Sequence, residues 1–223
     1  DAVALVDVEL EKTRLLFRNA GLAQAIVAIN APLLLLLLGG FAPPAWALIW
    51  WSAAVLLAGL RYLLARRFFA ACPDAGSAAG WRRRAVVSAL LAGLLWSSGG
   101  ITMMLAEPGY TRLFVALVMA GMVSGAVPLL SSVPMAFRAY AVPVMTAIIL
   151  TALFDSYGVR DWMLAAVSSL YLLAVLRSAS YFHEMLDSSL QLATRMRLMA
   201  GELEQALRGT EAANRAKSQF LAT

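Results

Sequence analysis

The chain has 223 residues, is 61% hydrophobic with only 14% charged side chains, and has a mean hydropathy of +0.76. A soluble domain carries roughly 25% charged residues and could not hide this much apolar surface from water, so the composition excludes that class and predicts an all-α polytopic membrane protein. Alternating segments of about 10 residues, the mark of a transmembrane β-barrel, do not occur, and the net charge of +5 reads as membrane orientation rather than nucleic-acid binding.

The first residues, DAVALVDVELEKTR, are acidic and amphipathic and lack the basic start and short apolar run of a signal peptide. The chain opens on Asp rather than Met, which suggests a trimmed N-terminus. Val3, Val6, Leu10 and Phe17 fall near one stripe, predicting a cytoplasmic amphipathic helix over 3–18 within an N-terminal arm of 1–19. Such a helix lies on the membrane, pairs with its copy in a dimer, or simply extends the first span.

Apolar length then predicts six spans within a membrane domain of 20–177: residues 20–38 with the run LLLLLL, 45–64, 85–106, 113–130, 140–154 interrupted by Pro143, and 162–176. The loops are GGFAPP, the basic stretch ARRFFAACPDAGSAAGWRRR, EPGY and DSYGVRD. The two short final spans reach across about 30 Å of hydrocarbon only by oblique packing or local thinning. Cys72 is the sole cysteine, which forbids an intrachain disulfide and reads as an inert thiol in a cytosolic loop rather than a redox group.

Charge fixes the orientation. Lys12, Arg14 and Arg18 lie in the arm, Arg61 at the edge of the second span, Arg66, Arg67, Arg82, Arg83 and Arg84 in the following loop, Arg138 between spans four and five, and Arg177 after span six. The opposite loops hold Arg112 and Arg160 against Glu107, Asp155 and Asp161. By the positive-inside rule both termini are cytoplasmic, as an even number of spans requires. Trp46, Trp50, Trp51, Tyr110, Tyr157 and Trp162, near predicted ends, fit an interfacial aromatic belt.

Residues 178–223 turn polar and predict a cytoplasmic signalling helix. A heptad places Leu186, Ala193, Ala200, Leu207, Asn214 and Leu221 at one core position, with Ser189, Met196, Leu203, Thr210 and Lys217 at the other. This core is small and partly polar, so the expected homodimeric coiled coil is weak and has close-lying registers, and Asn214 would set register. With Arg177 at its root, this helix is the expected relay.

The end of the chain, EAANRAKSQFLAT, resembles the start of the dimerisation and phosphoacceptor domain of bacterial sensor histidine kinases, through Ala213, Asn214, Arg215, Ala216, Lys217, Ser218, Phe220, Leu221 and Ala222. The stretch LFVALVMAGMVSGAVPLLSSVPMAFRAYAVPVM is similar to the multi-span input modules of hybrid histidine kinases. The resemblance implies a bacterial inner-membrane input region cut just before the phosphoacceptor histidine. ATP and Mg would serve the missing kinase core, this segment having no cofactor of its own, and phosphate would pass to a response regulator or receiver domain. Some membrane-bound diguanylate cyclases share such input regions, which leaves that output as the alternative. His183, followed by Glu184, lies too close to the membrane and too far upstream to be the phosphoacceptor, and reads as a partly exposed helix residue.

No Asp, Glu, Lys or Arg falls at the centre of a predicted span, which disfavours a pump, proton relay, voltage sensor or transporter. The short outer loops leave no room for a periplasmic sensor domain, so the stimulus acts in the bilayer, at its surface or from the cytoplasm. Helix irregularities locate a candidate pocket for a small apolar or amphipathic ligand, or for membrane lipid, between spans three, four and five. Asn30 (with Pro32) lies in span one, Ser97, Ser98 and Thr102 in span three, Ser124 and Pro128 in span four, and Pro143 in span five. Gly121 and Gly125 form a small-xxx-small pattern read first as close packing. Met103, Met104, Met119 and Met122 have no Cys or His beside them, so they read as core packing rather than a Cu(I) site, and no metal site is expected.

Overall fold

The computed structural model describes residues 2–37, 44–74, 76–106, 110–155 and 158–221, and describes side chains over 8–36, 45–74, 76–106, 110–155, 158–196 and 199–211. Every regular element among them is a helix: α1 (Ala2–Arg18), α2 (Ala20–Leu37), α3 (Pro44–Ala71), α4 (Ala78–Ala106), α5 (Tyr110–Leu130), α6 (Pro134–Phe154) and α7 (Val159–Leu221). Six helices are long and apolar enough to cross a membrane, so the chain is a multi-pass membrane protein. Exposed Leu36, Ile49, Leu56, Leu117, Leu170 and Leu173 make an apolar outer belt that hydrocarbon, not water, would tolerate. The side carrying Arg66, Arg67, Arg82, Arg83 and Arg84 is called the basic end below.

The bundle is organised around α4 and α6. Their facing surfaces bury Ala85, Ala89 and Ala92 of α4 against Phe137, Tyr140, Ala141 and Val144 of α6. Small residues permit the approach, and one glycine requires it. A Cβ on Gly93 would stand 2.7 Å from the Tyr140 carbonyl oxygen and 3.0 Å from that of Ala139. Pro143 has no N–H to offer the Ala139 carbonyl, so the α4 glycine packs against the point where the α6 ladder is interrupted. The expected interruption of span five by Pro143 is real in sequence, yet α6 continues through it.

The helix ends follow local chemistry. Asp74 Oδ1 accepts the Ser77 backbone N–H at 3.0 Å and the Ser77 hydroxyl donates to the Asp74 carbonyl at 3.0 Å, a turn that opens α4. These Ser77 hydrogen bonds hold the Asp74 carboxyl below its ordinary pKa. Cys72, which closes α3, takes the left-handed conformation at φ 41° and is exposed. Pro134 stands at the first position of α6, where its missing N–H costs nothing.

The N-terminal helix forms as expected, docks on the bundle and runs on into the first span, Val8–Leu36 together being long and apolar enough to cross a membrane. Val8, Leu16 and Phe17 are buried, with Phe17 stacked on Phe68 at 4.5 Å and meeting Trp81 edge-on at 6.2 Å. Only Asn19 separates α1 from α2. Val3 and Val6, also assigned to the stripe, have side chains outside the described residues.

Some expectations need correction. The second span does not stop at residue 64: α3 runs on to Ala71, which draws Arg61 inside a membrane-length helix rather than leaving it at a loop edge. Trp50 does not belong to an interfacial belt. It is 4% exposed, donates its indole N–H to the Leu95 carbonyl at 2.9 Å and meets Trp96 edge-on. Trp51, Tyr110 and Trp162 are exposed, while Tyr157 and Glu107 lie outside the described residues.

The last helix is unbroken over 63 residues, about 95 Å at 1.5 Å per residue. Its first half packs in the bundle, burying Ala165, Val175 and Ala179. From Ser188 onward no described side chain is buried. The large apolar residues exposed there are Leu192, Met196, Met199, Leu203 and Leu207. Met196, Leu203 and Leu207 belong to the expected heptad; Leu192 and Met199 sit one position before its Ala193 and Ala200. Ala193 and Ala200 are exposed and Leu186 is half-buried, while the side chains of Asn214, Lys217 and Leu221 lie outside the described residues.

Candidate functional site

Two features of the bundle bear on function: a cavity among α2, α3, α4, α5 and α6, and a set of polar ties that hold α7.

The cavity has a volume of about 90 Å³. Its apolar wall comes from Ile26 and Val27 of α2, Trp96 of α4, and Met122 and Leu129 of α5. Asn30, Arg61 and Tyr140 supply polar groups, and Gly121 and Gly125 open the α5 side. Neither of these two glycines has a heavy atom within 4 Å of where a Cβ would stand, so this small-residue pair borders space rather than a packed neighbour. Asn30 Nδ2 donates to Met122 Sδ at 3.0 Å. A recess of about 20 Å³ shares Ala23, Arg61, Leu129 and Leu130 with the cavity and adds Gln24 and Ser88. Gln24 is 8% exposed and its side-chain Oε1 is buried with no hydrogen-bond partner.

Of the residues expected to line a pocket, Asn30 does so. Ser97, Ser98 and Thr102 turn their hydroxyls onto the carbonyls of Gly93, Leu95 and Ser98 within α4, at 2.7, 2.8 and 2.9 Å. This back-bonding is the common fate of Ser and Thr in a helix with no water nearby. Ser124 donates to Tyr171 of α7 at 2.5 Å, and that hydroxyl donates to the Ala120 carbonyl at 2.7 Å. Pro128 is exposed on α5, and Pro143 is half-buried within α6. Arg61, Trp96 and Tyr140, which the cavity brings together, gave no local motif. Arg61 was discoverable only by letting the second helix extend past residue 64.

Ties to α7 occur at three depths. At its start, Arg112 donates to Asp161 Oδ1 at 3.0 Å, to the Asp155 carbonyl at 2.8 Å and to the Met104 carbonyl at 3.3 Å, and pairs with the Asp155 carboxylate. Midway stands the Ser124–Tyr171–Ala120 chain. At the basic end, His183 Nδ1 lies 3.1 Å from the Ser131 carbonyl in the α5–α6 turn. Lys12 Nζ lies 2.6 Å from Asp187 Oδ1 and 3.0 Å from Glu9 Oε1, and Glu9 also holds Arg82 at 2.5 Å. Thus α1 and the α5–α6 turn both grip α7 where it leaves the bundle. The expected relay residue Arg177 is exposed on α7 between the middle and lower ties.

Met103, Met104, Met119 and Met122 are buried in the core. Among the described residues no group of three or more His, Cys, Asp or Glu could hold a metal ion. Comparison with protein-family models, curated proteins and solved structures finds no match.

Proposed function

We propose that this chain is the membrane-embedded sensory input module of a bacterial two-component histidine kinase. It sits in the inner membrane with its basic end and both termini in the cytoplasm. A stimulus in or at the bilayer alters helix packing around the cavity, and α7 carries the change outward. A homodimeric coil beyond Asp187 delivers it to the kinase core, which passes phosphate to a response regulator or receiver domain.

The observation that carries this reading is the continuity of α7. One helix is tied to the bundle at its start, middle and exit, then continues as helix through the sequence ANRAKS. A rigid body pivoting on such ties converts a small shift among buried helices into rotation or register change outside. The expected coil core is poor in large apolar residues, which keeps alternative registers close in energy and lets a modest input decide between them.

The test is a phase change in the full-length kinase reconstituted in membranes. One residue inserted after Gln191 rotates everything downstream by about 100°, whereas a seven-residue insertion restores the face. Autophosphorylation should change with the first and return with the second. Unchanged output and unchanged stimulus response after the single insertion would overturn the relay.

A further inference from the structure

Arg61 is a cation inside a membrane-length helix, on the wall of the cavity and its adjoining recess. Among the described residues it makes no ion pair: no Asp or Glu of the bundle reaches it. A charge held in a low-dielectric interior without a counter-ion is costly, and such residues mark the place where a partner arrives. Arg61 is half-buried, whereas the fully buried arginine, Arg112, is placed between two carboxylates. The contrast is informative: where a counter-ion is wanted for structure, the fold supplies one.

A second observation at the same place points to a ligand. The Gln24 amide is nine-tenths buried, lines the recess beside Arg61 and leaves its Oε1 without a donor. A buried unpaired amide oxygen costs about 1–3 kcal/mol unless something fills the site. Next to these polar groups the wall turns apolar, through Ile26, Val27, Trp96 and Met122. Recess and cavity therefore adjoin, with Arg61 common to both.

We infer that Arg61 and Gln24 form a binding site for the anionic head of an acyl amphiphile, whose first carbons enter the cavity between α2 and α5. The guanidinium forks onto the two oxygens of a carboxylate or phosphate. The Gln24 amide NH2 donates to an oxygen of the same head, and its Oε1 accepts from a head hydroxyl where the amphiphile carries one, as phosphatidylglycerol does; a carboxylate has no proton to give it. The volume of about 90 Å³ is smaller than a cavity that accepts benzene, so it admits only the beginning of one chain. A free fatty acid and an anionic phospholipid of the adjoining leaflet present the same chemistry. The inference names the ligand class for the cavity of the proposed sensor, but it rests on binding alone: it can fail while the α7 relay survives, and the insertion test above can fail while binding survives.

The experiment uses the chain in phosphatidylcholine nanodiscs and a dodecanoate carrying a photoactivatable diazirine near its head, with labelled peptides mapped by mass spectrometry. Labelling should be saturable and concentrated on residues 23–30 of α2 and around Trp96. The matching diazirine dodecanol should label those peptides about tenfold less, the worth of one charge-assisted hydrogen bond. Arg61→Gln should lower dodecanoate labelling by about the same factor, Arg61→Lys should retain most of it, and Gln24→Leu should weaken it with the charge left in place. Protection by unlabelled dodecanoate but not by phosphatidylglycerol added to the disc assigns the site to a free fatty acid. Protection by both assigns it to lipid and keeps the anionic-head chemistry. Equal labelling by the alcohol and the acid in the unmutated protein overturns the inference, even if every Arg61 variant misfolds. So does undiminished labelling in an Arg61→Gln protein that melts like the parent.

Discussion

Arg112 and Asp161 are joined at 3.0 Å, with the arginine side chain 2% and the aspartate side chain 15% exposed. The same guanidinium pairs with Asp155, just past the end of α6, so one side chain fastens α5 to both α6 and α7. Asp161 also stands in the first turn of α7, where a carboxylate is favoured by the helix dipole. The upper end of α7 is therefore a fixed point, and motion has to occur below it.

Replacing Arg112 by Met should cost about 3–5 kcal/mol of stability, because two carboxylates lose their counter-ion in a partly desolvated place. Arg112→Lys should recover only part, since one ammonium cannot fork across Asp155 and Asp161 while reaching the Met104 carbonyl. Adding Asp155→Asn and Asp161→Asn to Arg112→Met should restore much of the loss. Unfolding followed by circular dichroism in detergent reads all of these. A triple variant no better than Arg112→Met would show that the packing of the side chain, not charge, is what matters.

The Lys12–Asp187 pair closes the opposite end. Lys12 has a side chain 9% exposed and sits between Asp187 and Glu9, so its contribution should exceed that of an open surface pair. A double-mutant cycle with Lys12→Gln and Asp187→Asn should give a coupling of about 0.5–3 kcal/mol. Each single variant should also speed hydrogen exchange in α7 around residues 180–190, because α1 no longer braces that turn. Zero coupling with unchanged exchange would remove α1 from the relay.

A middle tie makes a finer prediction. Tyr171→Phe strips the hydroxyl that accepts from Ser124 and donates to the Ala120 carbonyl. It should destabilise by about 1–2 kcal/mol, the cost of losing a part-buried hydrogen-bond chain. Ser124→Ala should cost less, because Tyr171 keeps its bond to Ala120. The same unfolding assay ranks them, and the reverse order would mean that Ser124 rather than the carbonyl anchors the phenol.

Much of the architecture was legible because membrane spans advertise themselves by length. All six predicted spans became helices, and the polar tail became the continuation of the sixth. Ends were read less well. The hydropathy signal fades at Arg61, Arg66 and Arg67 although the helix does not, because a helix end is set by caps and turns such as Cys72 and Asp74. The ties were invisible for another reason. Arg112 and Asp161 are 49 residues apart, and Lys12 and Asp187 lie on different helices, so no local spacing announces either pair. Polar residues in apolar helices, chosen as pocket markers, divided the same way: Asn30 faces the cavity, while the α4 hydroxyls satisfy their own backbone.

Glycines give the sharpest separation between packing and space. Gly121 and Gly125 carry the motif that sequence reading associates with tight helix contact, yet both border open volume. Gly93, which the sequence reading did not single out although Ala89 and Ser97 flank it at small-xxx-small spacing, has carbonyl oxygens against it at 2.7 and 3.0 Å from a built Cβ. Backbone cannot move aside as a flexible side-chain tip can, so Gly93→Ala has to push α4 and α6 apart. It should cost about 1–3 kcal/mol, as overpacking in a tight core does. Gly121→Ala removes backbone freedom from the unfolded chain and meets nothing, so it should be neutral or stabilising by about 1 kcal/mol. The same alanine projects into the cavity, so it should reduce dodecanoate labelling while leaving the melting profile intact. If instead Gly121→Ala unfolds the protein and Gly93→Ala does not, α5 is the packed partner and the cavity is filled by a neighbouring helix.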